Sequence, residues 1–583
     1  MLLSSYLRKR LAAPALPYER ACKPCDPAYA GAVCTLLLGF SVLEVLAFTL
    51  GGVLSVAAAY LWIALGLFSF GYLCWSYGAT LFDDLKRGSL WGLLPLAVGI
   101  PLCFFNLDSF GMLNTESLSE LQHALEEVQK PDLGYTGVFW VSYPSRSLLL
   151  NLIPTFLTGL SPWAYRVGFS FPILFGALFF FTGLRCYHRD NRFSSAVAAL
   201  ISTALFAYPT FCTIARTFEM AISSLSFGLW AIGALLIFAS RPSATKAVIT
   251  AWTIGLLSAS FTSGMALVAL LWLMLAVWLV RAIVRSESAV GKLVFGVLFN
   301  CIAVGISLRL VTSNALRSRQ IPLSDMLHNF QQALSMTVSI PNIVFTPEAL
   351  VIPTIIAALF ALSLRGGLLP ALLTVWCLPV VWSSINFHGK IAPELPFALY
   401  RALIIIPAIL LVMGRCLFWL TNLFPRRATL IRLAFIIMAV GICYSINDTY
   451  RREPILTKDR APLGREVIAE QVLKFIPTVG LSPYSSAWIV NRIDDKKIES
   501  FLPCLQYFLP TWKRIQASQP LPTTTSGPRE PGIIVALSSD PISAQSFPGY
   551  SKQLHSLSAT LDPFNTKDPF NTRDLTFIVL NPE

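Results

Sequence analysis

Two acidic residues stand beside long apolar runs of the sequence. Asp108 ends an apolar run, and a polar segment of roughly 55 residues follows it, much longer than ordinary connections between helices. Glu219 begins a later run, with Arg216 three residues before it on the same helix face. Because ionisable side chains are costly beside lipid, both carboxylates are candidates for function if they face a cavity. The alternatives are a solvated helix end for Asp108 and a local ion pair for Glu219.

A second group of candidates is basic. Arginine and lysine at the outer interface of a membrane can hold phosphate oxygens, arginine through two parallel hydrogen bonds. Each such residue taken alone is more often an interfacial anchor, so only several that converge indicate a binding site. The candidates are Arg146, Arg166, Arg216, Arg309, Lys390 and Arg401.

The composition indicates a membrane protein. Of its 583 residues, 55% are hydrophobic and 13% are charged, and the mean hydropathy is +0.64. One soluble core cannot bury so much apolar surface, so lipid must act as the solvent. The net charge of +13 does not indicate nucleic acid, because the basic residues cluster in short loops between apolar runs. We therefore predict an integral membrane protein without a nucleic-acid partner.

Apolar runs long enough to cross a bilayer recur along the chain and predict about 13 transmembrane helices. Lysines and arginines are concentrated in alternate loops, which predicts a cytoplasmic N-terminus and an extracytoplasmic C-terminus. The predicted spans lie near residues 31–51, 54–76, 88–105, 164–187, 193–214, 218–239, 247–263, 265–284, 291–311, 348–364, 368–385, 399–420 and 428–446.

This pattern divides the chain into parts. Residues 1–30 form a cytoplasmic segment, and residues 31–87 hold two additional N-terminal spans. The main transmembrane domain covers residues 88–446. Within its first outer loop, residues 148–160 are apolar but too few to cross, which predicts an interfacial or re-entrant helix. Its long outer loops are residues 106–163 and 312–347.

Residues 447–583 differ from the rest because charge returns and the apolar runs shorten. Their composition predicts a small α/β domain outside the membrane. The expected fold class is thus an α-helical polytopic membrane protein with a large first outer loop and a small C-terminal α/β extracytoplasmic domain. The predicted helices of that domain lie near 464–475 and 496–517, and its predicted strands near 487–491, 532–537 and 575–580.

Several motifs together resemble one family. Asn106, Leu107 and Asp108 leave a span into the large first outer loop, and residues 143–146 read Tyr-Pro-Ser-Arg. Residues 159–167 carry a glycine, a short linker and an arginine that opens the next span, and residues 208–219 carry a proline, an arginine and an acid. This pattern is similar to the GT-C superfamily of membrane glycosyltransferases. Within that superfamily it is similar to the bacterial lipid A aminoarabinose transferases and the protein mannosyltransferases.

The resemblance implies a chemistry and a place in the cell. It implies a polyprenyl-phosphate-linked sugar as donor, an undefined acceptor and inversion at the anomeric carbon, in the inner (cell) membrane of a bacterium. It implies that Asp108 is the general base. Glu219 would orient an arginine or help to hold a divalent cation, and no cofactor is otherwise defined. The residues that would bind the donor phosphate are Arg146, Arg166, Arg216, Arg309, Arg401 and Lys390.

Two other classes of protein remain open at this point. A flippase or transporter of lipid-linked glycans would also be polytopic with basic residues in a cavity, although the sequence shows no internal repeat of the kind that transporters often have. A non-catalytic membrane scaffold would present the C-terminal domain. Nucleotide hydrolysis and common hydrolase chemistry lose support, because the sequence has no Walker loop, HExxH or GxSxG motif.

Overall fold

The computed structural model describes two groups of elements, helices in the first part of the chain and a mixed domain at its end. The described residues are 52–104, 150–151, 153–159, 161–207, 222–240, 244–258, 427–456, 464–493, 501–505, 508–516, 529–560 and 572–583, with the separate positions 43, 46, 107, 324, 410, 411, 413, 414, 417, 418, 421 and 519.

Seven of the first eight helices overlap predicted spans, and two of them, Gly52–Lys86 and Ala428–Leu456, continue ten residues beyond the predicted ends. The eight helices are α1 (Gly52–Lys86), α2 (Leu94–Phe104), the short α3 (Ile153–Thr158), α4 (Pro162–Tyr187), α5 (Ser194–Ala204), α6 (Ile222–Ser240), α7 (Ala244–Ser258) and α8 (Ala428–Leu456). Single 3₁₀ turns precede α2 at Trp91–Leu93 and follow α5 at Leu205–Ala207. The short α3 lies within the predicted interfacial piece. Apart from separate helical positions within 31–51 and 399–420, the other predicted spans lie outside the described residues, so their number stays a prediction.

Helix α4 is the centre of this group and packs against α1, α2, α3, α5 and α6. Its residues Phe179, Phe180 and Phe181 are fully buried. Its contact with α6 is close because small residues face each other: a Cβ atom on Gly233 would lie 2.6 Å from the carbonyl oxygen of Phe179. Without a hydrophobic driving force between helices in lipid, such close backbone packing is a main source of their association.

Two described helices are long and apolar enough to cross a membrane, at Arg166–Tyr187 and Ala428–Asn447. The first is mostly buried. The second exposes its apolar side chains, for example Ile437 at 63% and Val440 at 64%. Water would oppose so large an apolar face, whereas hydrocarbon would not. The structure therefore agrees with a membrane location for the helical part.

The C-terminal elements form a small α/β domain. Helix α9 (Gly464–Phe475), a 3₁₀ turn (Ile476–Val479) and helix α10 (Leu502–Leu505) accompany strands β1 (Trp488–Asn491), β2 (Lys513–Ile515), β3 (Gly532–Leu537), β4 (Tyr550–Thr560) and β5 (Thr572–Pro582). A further 3₁₀ turn lies at Pro541–Ala544. The strand order in the sheet is β2-β1-β3-β5-β4.

The sheet is mixed and covered on both faces at its centre. Strand β1 pairs in parallel with β2 and β3, and β5 pairs antiparallel with β3 and β4. Val490 and Ile534 lie in one core cluster, while Ile489 and Ile533 lie in the other. Burial on both faces explains why β1 and β3 read as continuous apolar runs that the sequence could reveal.

One prediction for this domain is wrong. The helix expected near 496–517 is replaced, where the structure describes that stretch, by the four-residue α10 and by β2. Pro503 and Pro510 account for the difference, because proline within a helix removes a backbone donor and clashes with the preceding turn. Strands β2 and β4 were not predicted.

A buried ion pair joins α1 to α4 at the end where both helices terminate. The Nε atom of Arg185 donates to Oδ1 of Asp84 at 3.0 Å, and Asp84 is 1% exposed. Oδ2 of Asp84 has no hydrogen-bond partner within the described part of the chain. Asp83, the preceding residue, forms a surface pair with Arg87, and its Oδ2 also lies 3.7 Å from Nη2 of Arg185. The basic-residue pattern predicts that this end of the bundle faces the cytoplasm.

Candidate functional site

At the opposite end of α4, the side chain of Arg166 connects three separate parts of the chain. Its Nη1 atom donates to the carbonyl oxygen of Leu107 at 2.5 Å. The same atom lies 3.6 Å from Oε1 of Glu470, on α9 of the C-terminal domain. Lys474, one turn later on α9, places Nζ 3.2 Å from the same carboxylate oxygen. We call these four residues the outer junction, after the side of the membrane that the basic-residue pattern predicts for this end.

The outer junction is buried, although it holds charged groups. Arg166 is 1% exposed, Glu470 is 3% exposed, and Leu107 is fully enclosed. Lys474 is half-exposed and reaches the carboxylate from the surface. Burying a guanidinium is costly unless it is paired and hydrogen-bonded, so a carbonyl and a carboxylate are fitting partners.

Local sequence explains why Arg166 lies at the start of a helix. The side chain of Ser161 accepts a hydrogen bond from the backbone N–H of Ala164, and Pro162 occupies the first helical position. Both are favoured helix-start residues, serine as the cap and proline because its missing N–H is not needed there. Arg166 follows within the next turn, which places it at the end of the bundle.

Asn151 holds the start of α4 to the preceding segment. Its Nδ2 donates to the carbonyl oxygen of Gly168 at 2.9 Å. That carbonyl lacks its usual helical partner, because the residue four positions later is Pro172, which has no N–H. Oδ1 of Asn151 accepts from Oγ of Ser223 on α6 at 3.5 Å. A buried amide therefore ties α3, α4 and α6 together beside the outer junction.

Gly168→Ala is expected to lower the thermal stability of the protein. An added Cβ would lie 1.9 Å from the carbonyl oxygen of Asn151, so α4 and that segment must separate, at a cost of about 1–3 kcal/mol. The measurement is the unfolding midpoint of the full chain in detergent. Gly441→Ala on α8 is the matched control, because nothing lies within 4 Å of its Cβ position. A midpoint for Gly168→Ala at or above that of the control would contradict the packing.

The structure describes one of the predicted site residues, Arg166. Asp108 and the remaining candidates lie outside the described residues: Glu219, Arg146, Arg216, Arg309, Arg401 and Lys390. One covalent relation nevertheless connects Asp108 to the outer junction, since the peptide whose carbonyl Arg166 binds is the one that joins Leu107 to Asp108. Arg166, expected as a phosphate ligand, has a carbonyl and a carboxylate as partners here.

Sequence reasoning did not identify Glu470, Lys474 or Asn151. Glu470 and Lys474 lie four residues apart on a predicted helix, a spacing that suggests only a surface pair. Asn151 is the polar residue within an apolar piece, which was a usable signal. Among the residues that the structure describes, no three His, Cys, Asp or Glu side chains come together as metal ligands.

A second ion pair in the C-terminal domain lies away from the junction, on the sheet. Nζ of Lys513 donates to Oε2 of Glu530 at 2.8 Å, and Oγ of Ser486 donates to Oε1 at 2.6 Å. The hydrogen bond from Lys513, with a further contribution from Ser486, lowers the pKa of the Glu530 carboxyl below its usual value. This pair offers a control for substitutions at Glu470.

Fold and site together define a helical membrane protein whose bundle is joined by a buried ion pair to a small α/β domain. The chain is similar to the crystal structure of ArnT from Cupriavidus metallidurans in the apo state, with 17% identity and a TM-score of 0.43, covering 83% of this chain and 97% of that chain. It is also similar to the crystal structure of ArnT from Cupriavidus metallidurans bound to undecaprenyl phosphate, with 16% identity and a TM-score of 0.39, covering 83% and 98%.

No family model matches the chain, and no curated protein matches it.

Proposed function

We propose that this protein is a membrane glycosyltransferase that moves a sugar from a polyprenyl-phosphate-linked donor to an acceptor outside the cytoplasm. The acceptor is a lipid, glycan or protein of the cell envelope. The proposal rests on one observation above all: a buried guanidinium binds the carbonyl of the peptide that leads into Asp108.

This contact supports a functional role for Asp108 because a buried hydrogen bond fixes the backbone immediately before it. Arg166 is inside the protein, and its side chain spans from a helix start to the end of the apolar run that Asp108 closes. A solvated helix end would need no such support. Catalytic groups require positioning to within a fraction of an ångström, which buried hydrogen bonds provide.

The reaction would proceed as a single displacement. The acceptor hydroxyl or amine attacks the anomeric carbon, and the bond from that carbon to the phosphate oxygen breaks. The electron pair leaves with the polyprenyl phosphate. The proton of the acceptor passes to the carboxylate of Asp108, which acts as general base.

The basic residues divide into two roles in this proposal. Arg166 positions the peptide before Asp108 rather than binding phosphate, because its described partners are a carbonyl and a carboxylate. Stabilisation of the departing phosphate is left to the other candidates, whose positive charges offset the developing negative charge. These are Arg146, Arg216, Arg309, Arg401 and Lys390. Glu219 would orient one of the arginines or help to hold a divalent cation.

The test begins with deletion of the gene in the native host. Mass spectrometry of the cell envelope is expected to show one component that lacks the mass of a sugar residue, and supplying the full chain is expected to restore it. Because loss of a flippase would have the same effect, the purified chain in detergent is then incubated with a detergent extract of the whole envelope of the deletion strain, which holds lipid, glycan and protein acceptors alike.

Transfer in detergent distinguishes a transferase from a flippase, because no bilayer remains for a lipid to cross. A transferase is expected to release polyprenyl phosphate from the extract and to glycosylate the acceptor present there. Unchanged envelope masses after deletion would contradict the proposal in favour of a scaffold. Restoration in cells without any release in detergent would favour a transporter.

A further inference from the structure

We propose that Glu470, in the C-terminal domain, is a positioning residue for the transfer reaction. This inference rests on the proposed function and extends it: the C-terminal domain completes the site by orienting Arg166. Glu470 itself touches neither donor nor acceptor in this proposal.

The geometry places Glu470 as the described anionic partner of Arg166. Its Oε1 lies 3.6 Å from Nη1, the same nitrogen that donates to the carbonyl of Leu107. The carbonyl accepts a hydrogen bond from Nη1 and the carboxylate attracts the same nitrogen at ion-pair distance, so the two together restrict the position of Nη1. Moving the carboxylate would therefore move the group that holds the peptide before Asp108.

Glu470 is itself held firmly by its helix. Ile468, Ala469 and Val472, its neighbours on α9, are fully buried in the core cluster that also contains Ile489 of β1 and Phe577 of β5. The core of the domain therefore fixes the backbone of Glu470, and with it the place from which the carboxylate reaches Arg166. Lys474 supplies a second cation from the surface, with its Nζ 3.2 Å from the same carboxylate oxygen.

We expect substitution of Glu470 to lower turnover without changing the affinity for the donor lipid. Donor lipid contacts other basic residues, so its affinity should not depend on Glu470. The placement of the general base should depend on it, and a displacement of about 1 Å at a reacting group can cost about 10²-fold in rate.

The experiment compares Glu470→Gln with Glu530→Gln in the purified full chain. Both changes remove one carboxylate charge that pairs with a lysine in the same domain, but only the first lies at the outer junction. Three quantities are measured: the unfolding midpoint, the Kd for undecaprenyl phosphate, and release of polyprenyl phosphate from a saturating amount of the envelope extract of the deletion strain. A third variant, Glu470→Asp, keeps the charge but withdraws it by one methylene.

For Glu470→Gln we expect turnover lowered by about tenfold to 10²-fold, with the Kd for undecaprenyl phosphate within about twofold of the unaltered chain. The turnover of Glu470→Asp should lie between those of Glu470→Gln and the unaltered chain. The turnover of Glu530→Gln should equal that of the unaltered chain. Turnover of Glu470→Gln equal to that of Glu530→Gln would overturn the proposal. So would a parallel loss of lipid affinity and turnover, which would indicate general damage.

If Glu470→Gln does not fold, the Glu470→Asp variant is used to test the proposal. Reduced turnover with unchanged lipid affinity would then support the proposal, and turnover equal to Glu530→Gln would overturn it. Failure of the proposed function has a different signature: the unaltered chain would neither release polyprenyl phosphate nor change the envelope of the deletion strain. In that case both proposals fall, whereas an active chain that is indifferent to Glu470 removes only the second.

Discussion

Asp108→Asn is expected to abolish sugar transfer while the protein still folds. The amide keeps the size of the carboxylate but cannot take the proton of the acceptor, and loss of a general base lowers the rate by about 10²–10⁴-fold. The measurement is the fraction of envelope acceptor that is glycosylated when the variant is supplied to the deletion strain, at matched expression. Release of polyprenyl phosphate by the purified variant gives the same comparison in detergent.

Asp83→Asn is the matched control for this change. It makes the same substitution on an exposed acid beside the end of α1, where Asp83 pairs with Arg87 at the surface. The control is expected to restore the glycan as fully as the unaltered chain does. Full restoration by Asp108→Asn at the same expression level would remove Asp108 from the mechanism.

Arg185→Met is expected to cause the largest loss of stability. The change leaves the carboxylate of Asp84 buried without the cation that faces it at 3.0 Å, and breaking a buried pair in this way costs about 3–5 kcal/mol. The measurement is the unfolding midpoint of the purified chain in detergent. Arg87→Met is the control, because its pair with Asp83 is exposed and such pairs contribute about 0–1 kcal/mol.

A double variant tests the cause of that loss. Asp84→Leu combined with Arg185→Met replaces the buried pair by apolar side chains, a change that is often neutral or stabilising. Most of the stability lost in the single variant should therefore return. If Arg185→Met behaves like Arg87→Met, or the double variant is no better than the single one, the buried carboxylate is not the source of the effect.

The helices and strands that could be predicted are those whose sequence pattern lies within the segment itself. The span predicted at 164–187 is α4, because an apolar run, a serine cap and a proline at the first position all lie within the segment itself. Strand β3 was predicted at its observed bounds, 532–537, because it is buried on both faces and reads as apolar throughout. Helix α9 was likewise predicted correctly.

The missed elements depend on partners that are distant in the chain. Strand β4 has few apolar residues, and its pairing is decided by the eleven-residue register with β5 rather than by an alternating pattern of its own. Strand β2 has three residues and forms only beside β1. No periodicity within a short polar stretch indicates such pairing.

The candidate site also contains one residue that the sequence pointed to and partners that it did not. Arg166 was predicted as one of several basic residues at the outer interface that can hold phosphate oxygens, and that role stays a prediction. Its partners could not be inferred, since Leu107 offers only a backbone carbonyl and Glu470 belongs to another domain. The roles of Asp108, Glu219 and the other basic candidates stay predictions.

The ion pair between Arg166 and Glu470 has a consequence for biosynthesis. Glu470 is translated about 300 residues after Arg166, which corresponds to about 15–60 s at about 5–20 residues per second. The nascent chain must insert α4 before its carboxylate partner has left the ribosome. Maturation of this end of the bundle is therefore a late event that awaits synthesis and folding of the last quarter of the polypeptide, and a chain stalled before that point would hold an arginine without this counter-ion.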